Sequence, residues 1–348
     1  MRLALTCNIK KGDEAAGGSS PLPPIQDDHY AEWDDRETIE AIRSALGERH
    51  EEVTLVEADE DAYPRLRELR PELVFNMAEG LTGESRESHI PSVLEMLGIP
   101  YTGSAPLTLS LCLNKARAKQ VLGCSGVPTP RFTVLSGTGN DTEGGVEGVG
   151  LVFPLMVKPL YEGSSKGIRN DSLVRSGKEL GRKVASTLEE YCQPVLVEEY
   201  LDGREFTVAL MGNGRELRAL PLVEINHSAL PADINPIYSY EAKWILDRPE
   251  APLDIFTCPA DVDEGLRKRI AGIAEEAYRA LGVKDWCRVD VRLDSGGEPN
   301  IIELNPLPGI LPDPTQNSCF PKAARAEGMD FTELVNSVVD IARKRYGI

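Results

Sequence analysis

The stretch "CRVDVRLDSGGEPNIIELNPLPGI" (287–310) governs how the rest of the chain is read. It divides into two strand-like segments about Gly296-Gly297, a dipeptide suited to a two-residue turn whose central residues both take positive φ. Ser295 then pairs with Glu298. Paired residue numbers keep a constant sum, so Asp290 falls opposite Glu303 and Arg288 opposite Asn305. Side chains alternate along a strand. These four therefore share one face, and Val289, Val291 and Leu293 oppose Ile302 and Leu304 on the other. A slip of one residue would bury the charges and expose the aliphatics, which fixes the register. Two carboxylates and an amide carbonyl on one patch repel one another unless a cation lies between them. Mg²⁺ accepts hard oxygen ligands from a few side chains alongside substrate phosphates. A solvated acidic hairpin is the other reading of this face, because antiparallel sheets commonly leave one side in water.

At 348 residues the chain exceeds one compact core and suits two or three domains. No apolar run approaches the ~20 residues of a membrane-spanning helix. The opening "MRLALTCNIKKGDE" (1–14) reads as a first strand without a signal-peptide cleavage pattern, so the expected compartment is the cytoplasm. Seven cysteines (Cys7, Cys112, Cys124, Cys192, Cys258, Cys287 and Cys319) are scattered without a C-x-x-C pair. That argues against a disulfide framework or a thiolate zinc site, and their apolar neighbours suggest reduced core residues. A net charge of −18 and a pI near 4.8 argue against nucleic-acid binding through a basic surface. An anionic nucleotide remains compatible if a few lysines gather where its phosphates lie.

From 1 to about 105 the pattern alternates strand (2–8), helix (36–47), strand (52–58), helix (62–69), strand (72–77) and helix (87–97), which predicts a parallel sheet with crossover helices. Segment 12–28, rich in Gly, Ser and Pro, reads as a mobile loop beside the C-terminal edge of those strands, where ligands bind in such sheets. A strand, a glycine-rich loop (137–150), a strand ending at Lys158 and a helix (174–190) follow. Two strands then flank the Asp202-Gly203 turn. The remainder reads as a strand (217–226), a long loop (227–250), a helix (262–282), the hairpin and a closing helix (330–346).

"LMVKPLYEGSSKGI" (155–168) is an aliphatic strand that delivers Lys158 and runs into Glu162-Gly163-Ser164-Ser165-Lys166-Gly167. Glycines let a backbone approach a ligand closely, and successive N–H groups with serine hydroxyls cradle phosphate oxygens. A flexible turn reads the same way in isolation. "LNKARAK" (113–119) sets Lys115 at a helix start, where a cation does not balance the helix dipole; an anionic ligand explains it, and so does a solvated lysine.

Taken in order, "GIPYTGS" (98–104), "NKARAK", "PLMVKPLYEGSSKGI", "VLVEEYLDGREFTVAL", "YSYEAKW" (238–244), "RVDVRLD" and "IIELNPLPGI" resemble the D-alanine–D-alanine ligases of the ATP-grasp superfamily, from about residue 70 almost to the C-terminus. The resemblance implies an α/β protein with α+β elements in a three-domain ATP-grasp fold, divided at 1–105, 106–201 and 202–348. It implies an enzyme that uses ATP to phosphorylate a carboxylate, after which an amine attacks the acyl phosphate, with Mg²⁺ or Mn²⁺ as the metal and amino acids as substrates. Lys115, Lys158, Glu162, Gly163, Ser164 and Ser165 would serve the phosphates. Glu198 would face the adenine amine, the Glu199 and Leu201 backbone its edge, and Glu205 the ribose. Asp290, Glu303 and Asn305 match the metal ligands. Arg288 and the Gly309 N–H match donors for charge developing at the reacting carbonyl. Lys243 lies in a segment similar to the family's lid, which excludes water from a hydrolysable acyl phosphate. The helix at 87–97 resembles the region through which the family often dimerises, which implies a homodimer.

The chain departs from the family on the amino-acid side. The usual first-loop glutamate run is replaced by "DDHYAEWDDRET" (27–38), where Glu32, Asp34 or Asp35 could hold an amine, and where Asp34 or Asp35 could equally cap the helix at Arg36. Glu79 stands where a histidine is common. Trp244 stands for a tyrosine and lacks a phenolic hydroxyl to offer Ser164. The segment 311–321 is longer than usual before Ser318, which matches a serine near the second substrate's carboxylate. These changes leave open an active ligase for cell-wall D-alanyl-D-alanine synthesis and a specialised one, such as amino-acid coupling in natural-product assembly, with a non-catalytic nucleotide-binding module as the remaining alternative. A first substrate with an added positive or hydroxyl function opposite Glu79 is the hypothesis for the specialised case.

Overall fold

The computed structural model describes residues 1–10, 28, 30–137, 150–247 and 253–348. The segments expected to be loops at 12–28 and 137–150 lie outside the described residues, apart from Asp28, Gly137 and Gly150.

Strands β1 (Arg2–Cys7), β2 (Glu52–Glu57) and β3 (Leu73–Met77) alternate with helices α1 (Arg36–Gly47), α2 (Ala62–Leu69) and α3 (His89–Leu97), and pair in parallel in the order β2-β1-β3. The central strand is apolar along nearly its whole length because both faces are covered. Leu3, Leu5 and Cys7 meet Ile39, Ile42 and Leu46 of α1, while Ala4 packs with Leu66 and Val74 on the opposite side. Asp35 caps α1, its Oδ1 accepting the Thr38 N–H at 2.7 Å. The turn before α3, Arg86–Ser88, is 3-10 rather than α-helical.

Helices α4 (Pro106–Leu113) and α5 (Lys115–Cys124) lead to a second sheet of β4 (Phe132–Leu135), β5 (Leu155–Pro159), β6 (Leu173–Val174) and β7 (Val195–Glu199), ordered β4-β7-β5-β6 and antiparallel throughout. Helix α6 (Gly177–Tyr191) covers one face through Leu180, Val184 and Leu188.

The third sheet holds β8 (Glu205–Met211), β9 (Arg218–Ala219), β10 (Val223–Ile225), β11 (Phe256–Thr257), β12 (Trp286–Leu293) and β13 (Pro299–Asn305), ordered β11-β10-β8-β12-β13 with β9 beside β8. Phe206, Val208 and Leu210 of β8 pack under helix α7 (Glu264–Ala280). Ala209 and Met211 face the other way, into a core shared with α1, β1, helix α8 (Cys319–Ala326) and helix α9 (Phe331–Tyr346). Thus the first and third sheets meet across one apolar layer.

Several expectations are corrected. The strands about Asp202-Gly203 are not a hairpin, because β7 and β8 belong to different sheets and the chain between them crosses from one to the other. Gly203 fits that crossing: its N–H donates to Leu293 O at 3.1 Å, and a Cβ there would stand 2.5 Å from the same oxygen. The single strand expected at 217–226 is two, broken around Pro221, which has no N–H for a ladder. Segment 227–250 is not featureless: it carries a 3-10 turn (His227–Ala229) and a π-helical turn (Glu241–Leu246), and 248–250 lie outside the described residues. All seven cysteines are free, but Cys124 and Cys192 are exposed rather than core residues.

The hairpin differs in a way that leaves its active face intact. Its loop has three residues, Ser295–Gly297, closed by Gly297 N–H to Asp294 O at 3.0 Å and by Asp294 N–H to Glu298 O at 2.9 Å, with Gly297 at φ +79°. Asp294, not Ser295, faces Glu298. Leu293 therefore pairs with Pro299 and Val291 with Ile301, one place off the expected register. An irregularity after Asp290 then absorbs one residue, Ile302, and restores Asp290 opposite Glu303 and Arg288 opposite Asn305. The aliphatic partner in the core is Ile301, fully buried, and Ile302 turns toward the large cavity.

Candidate active site

Two adjoining cavities, of about 240 Å³ and about 90 Å³, share the lining residues Glu32, Asp34, Ser164, Lys243, Arg288, Glu303 and Gly309. Every site residue put forward from the sequence lines one or both. The larger takes Lys158, Ser165, Glu198, Glu199, Leu201, Glu205, Trp244, Asp290 and Ser318; the smaller takes Glu79, Lys115, Glu162, Gly163 and Asn305.

On the hairpin face Arg288 donates to both oxygens of Asp290, its Nε to Oδ1 and its Nη2 to Oδ2 at 3.0 Å each, and Asn305 Nδ2 donates to Asp290 Oδ2 at 3.1 Å. Glu303 lies 3.5 Å from Lys115 Nζ. Burial pushes the Asp290 carboxyl up and Glu303 adds to this, with Arg288 opposing. Burial acts on Glu303 too, but Lys115 and Lys158 hold it down at about 2. Among the described residues no group of three or more Asp, Glu, His or Cys is placed to hold a metal ion. Asp290 and Glu303 with the Asn305 amide make a two-carboxylate set, which suits Mg²⁺ because that ion completes its shell with waters and phosphate oxygens. Turning the Asn305 amide by half a revolution presents its oxygen to such an ion.

The larger cavity is built from matched charges. Glu198 is almost fully buried between Lys158 Nζ at 2.6 Å and Lys119 Nζ at 2.8 Å, and these lysines overcome desolvation to keep its carboxyl at about 2. Two ammoniums around one carboxylate leave an excess positive charge in a dry place, and burial draws Lys119 down. Glu205 accepts from Arg292 Nη1 at 2.8 Å and lies 2.9 Å from His227 Nε2, which hold it at about 2 against burial. Arg292 also stacks over Tyr200, 4.5 Å from the ring centroid. The Glu199 N–H is used by Arg131 O, at 2.9 Å, whereas the Leu201 N–H makes no backbone bond among the described residues.

Loop 163–167 is tightly wound. Ser164 and Ser165 take φ of +48° and +61°, a region that L-residues occupy at a cost. A Cβ at Gly167 would stand 2.4 Å from Pro159 Cγ. The segment carrying Lys243 closes over this loop: Ser165 Oγ donates to Tyr238 O at 3.0 Å, Tyr240 N–H to Ile168 O at 2.7 Å, and the Trp244 indole N–H to Ser164 O at 3.1 Å. Trp244 thus does reach Ser164, through the main-chain carbonyl rather than the hydroxyl. Lys243, half-buried and beside Arg288, is pushed down to about 8, by desolvation first and then by that neighbouring cation.

The smaller cavity is different in kind. Glu32 accepts Arg86 Nη2 on both oxygens at 2.9 Å and the Gly163 N–H at 2.5 Å. Arg86 and Lys166 together lower its carboxyl despite burial. Glu162 pairs with Lys166 at 2.6 Å and Arg86 at 3.3 Å. Glu32 is therefore committed to the protein's own cations. Glu79 and Glu87 line the smaller cavity with no hydrogen bond or ion pair among the described residues; burial and then Glu87 raise the Glu79 carboxyl, while burial with Glu32 and Glu303 raises Glu87 to about 7 against the pull of Arg86 and Lys115. Asp34 is raised to about 7, by burial and then by Asp35. Ser318 accepts the Leu311 N–H at 3.2 Å and donates to Gly309 O at 3.3 Å, tying the long 311–317 segment to the turn.

Arg86, Glu87, Lys119, Lys166, His227 and Arg292 were not singled out in the sequence. Arg292 had a signal, since positions 288, 290 and 292 alternate onto one strand face. Arg86 and Glu87 had none, because a 3-10 turn carries no apolar period.

The chain matches the family model described as "D-ala D-ala ligase C-terminus" over residues 122–340. It is 35% identical to a D-alanine–D-alanine ligase of Desulforudis audaxviator over 88% of this chain and 92% of that one. It is also 35% identical to the uncharacterized protein y4sG of Sinorhizobium fredii over 99% and 98%. Among solved structures it resembles the Bacillus anthracis D-alanine–D-alanine ligase complexed with ATP, with TM-score 0.73, 21% identity and coverage of 100% and 99%. It also resembles the VanG D-Ala:D-Ser ligase of Enterococcus faecalis, with TM-score 0.69, 21% identity and coverage of 98% and 99%. With the motifs, the fold and the relatives in agreement, the chain belongs to the D-alanine–D-alanine ligase family of ATP-dependent, amide-forming enzymes with the ATP-grasp fold.

Proposed function

We infer that this enzyme joins two amino acids through an acyl phosphate, releasing ADP and phosphate. The supporting observation is that Lys115, Lys158, the 163–167 loop, Arg288, Gly309 and the Asp290/Glu303/Asn305 face surround one continuous space. ATP would lie in the larger cavity. Glu198 would turn toward the adenine amine, Leu201 N–H and the Glu199 main chain toward the ring edge, and Glu205 toward the ribose. Lys158, Lys115 and the Ser164-Ser165 backbone would bear the phosphates. Asp290, Glu303 and Asn305 would hold Mg²⁺, which supplies neutralisation of phosphate charge.

The first substrate's carboxylate oxygen attacks the γ-phosphorus and ADP leaves. The second substrate's amine, deprotonated, then attacks the acyl carbon and phosphate leaves. Arg288 and the Gly309 N–H are fixed donors for the oxyanion that forms at that carbon, an arrangement that needs no reorganisation as charge develops. Lys243, with its lowered ammonium, and Trp244 close the site so that water does not compete with the amine. Ser318 would meet the second substrate's carboxylate. We further assign the domains to 1–105, 106–201 and 202–348, and expect a cytoplasmic homodimer using the α3 region. Among the described residues no helix is long and apolar enough to cross a membrane.

A panel of amino-acid pairs assayed for ADP release, with mass spectrometry of the product, tests the reading. A condensed product carrying one molecule of ADP per amide is expected. ATP binding without ADP formation from any pair would refute it.

A further inference from the structure

The smaller cavity is lined by six carboxylates, Glu32, Asp34, Glu79, Glu87, Glu162 and Glu303. Glu32 and Glu162 are matched by Arg86 and Lys166, and Glu303 by Lys115. Asp34, Glu79 and Glu87 make no contact ion pair among the described residues, with Lys10 acting on Asp34 and Arg86 on Glu79 and Glu87 only from a distance. Glu87 keeps only 9% of its surface exposed and faces this cavity. A carboxylate held in such a place without a partner is costly unless a ligand supplies the cation.

A neutral amino acid brings a single ammonium, and Glu32 is already engaged by the protein. Resting on the ligase reading, we propose that the first substrate is a diamino acid, whose second ammonium, on a short side chain, is received by Glu79 and Glu87. Its α-ammonium lies toward Asp34, and its carboxylate lies toward Arg288 and Lys243, which line the same cavity. The smaller cavity opens into the larger one through shared lining residues, so charge and not length selects the class, and diaminopropionate, diaminobutyrate and ornithine form the series to compare. The charge arrangement also disfavours a first substrate with an acidic side chain, which would meet Glu79 and Glu87.

Hydroxylamine isolates the first-substrate site, because it captures the acyl phosphate as a hydroxamate without a second amino acid. Both enantiomers of diaminopropionate, diaminobutyrate and ornithine are compared with alanine and homoserine in the presence of ATP and Mg²⁺. The best diamino acid is expected to exceed alanine by about 100-fold or more in kcat/KM, since a site built for a polar group rejects the analogue lacking it. The same ratio is expected to fall at least tenfold in Glu79→Gln and in Glu87→Gln. Should Glu87→Gln not fold, Glu79→Gln alone decides, its side chain being only half-buried. Alanine or homoserine matching the best diamino acid, or a ratio unmoved in the variants, overturns the diamino assignment and leaves the ligase reading standing. No hydroxamate and no ADP from any acid overturns both.

Discussion

The two ends of the active-site space handle charge in opposite ways. At the proposed nucleotide end the buried carboxylates are met by the protein's own groups: Glu198 by Lys119 and Lys158, Glu205 by Arg292 with His227 as a hydrogen-bond partner. Their carboxyls are held at about 2 although burial opposes ionisation. At the proposed amino-acid end Glu79 and Glu87 make no contact ion pair, and burial with the like charge of neighbouring carboxylates raises both. The first end is ordered before any ligand arrives, which suits a nucleotide whose shape never changes. On the proposed reading the second is complete only when a ligand brings positive charge, and substrate identity is set there.

The largest effect that probes this contrast is on chemistry. Lys158→Ala removes a fixed cation from the phosphate site and leaves Glu198 with one lysine. A fall of about 10³ in kcat/KM for ADP release is expected, in line with the loss of a preorganised charge at a reacting centre. A loss under tenfold would mean that Lys158 serves the fold rather than the phosphates.

Next in size is stability. Glu198→Gln breaks a buried carboxylate bridging two ammoniums, and losing one partner of a buried pair costs about 3–5 kcal/mol. Chemical denaturation at pH 7 reads that loss. The sign with pH follows from the depressed carboxyl: the Glu198 contribution is full above the unfolded value of about 4.3 and disappears as pH falls toward about 2. The wild type and Glu198→Gln should therefore converge in strong acid. A gap that persists there would point to lost packing instead of lost charge.

The amino-acid end should behave in the reverse sense. Glu87 rises to about 7 in the folded chain, so its contribution is full below the unfolded value of about 4.3 and is lost as pH climbs through about 7. Without ligand, Glu87→Gln should gain on the wild type between pH 5 and pH 8, by roughly 2–5 °C in melting temperature. If Glu87→Gln instead loses ground as pH rises, Glu87 has an ionic partner in solution and the contrast between the two ends fails.

How much of this could be read from the sequence depends on which physical signal each part leaves. The parallel sheet and its helices were legible because continuous apolar strands alternate with amphipathic helices. The hairpin's active face was legible because period-two alternation put Asp290, Glu303, Arg288 and Asn305 together. The route to that face was not: a three-residue loop and an extra residue at Ile302 each shift the pairing by one, and the shifts cancel before the catalytic residues. Such compensation leaves no mark in composition or period. The partnering of Glu32 by Arg86, Lys166 and Gly163 was equally hidden, because it joins residues from separate segments through tertiary packing alone.

The smallest effect concerns the lid, which spans both ends. The Trp244 indole N–H donates to Ser164 O, while Lys10 and Lys243 lie 4.7 Å and 4.9 Å from the centroid of its ring. Trp244→Phe keeps an aromatic face for the two ammoniums but deletes the donor. One neutral hydrogen bond is worth about 1 kcal/mol, so closure should weaken by roughly fivefold, with folding little changed. The acyl phosphate would then be exposed to water more often before the amine arrives. The measurable consequence is uncoupling: ADP released per amide formed should rise above one in Trp244→Phe, more so at low concentrations of the second substrate. A lid that acts only by covering the nucleotide would instead raise the KM for ATP and leave that stoichiometry at one.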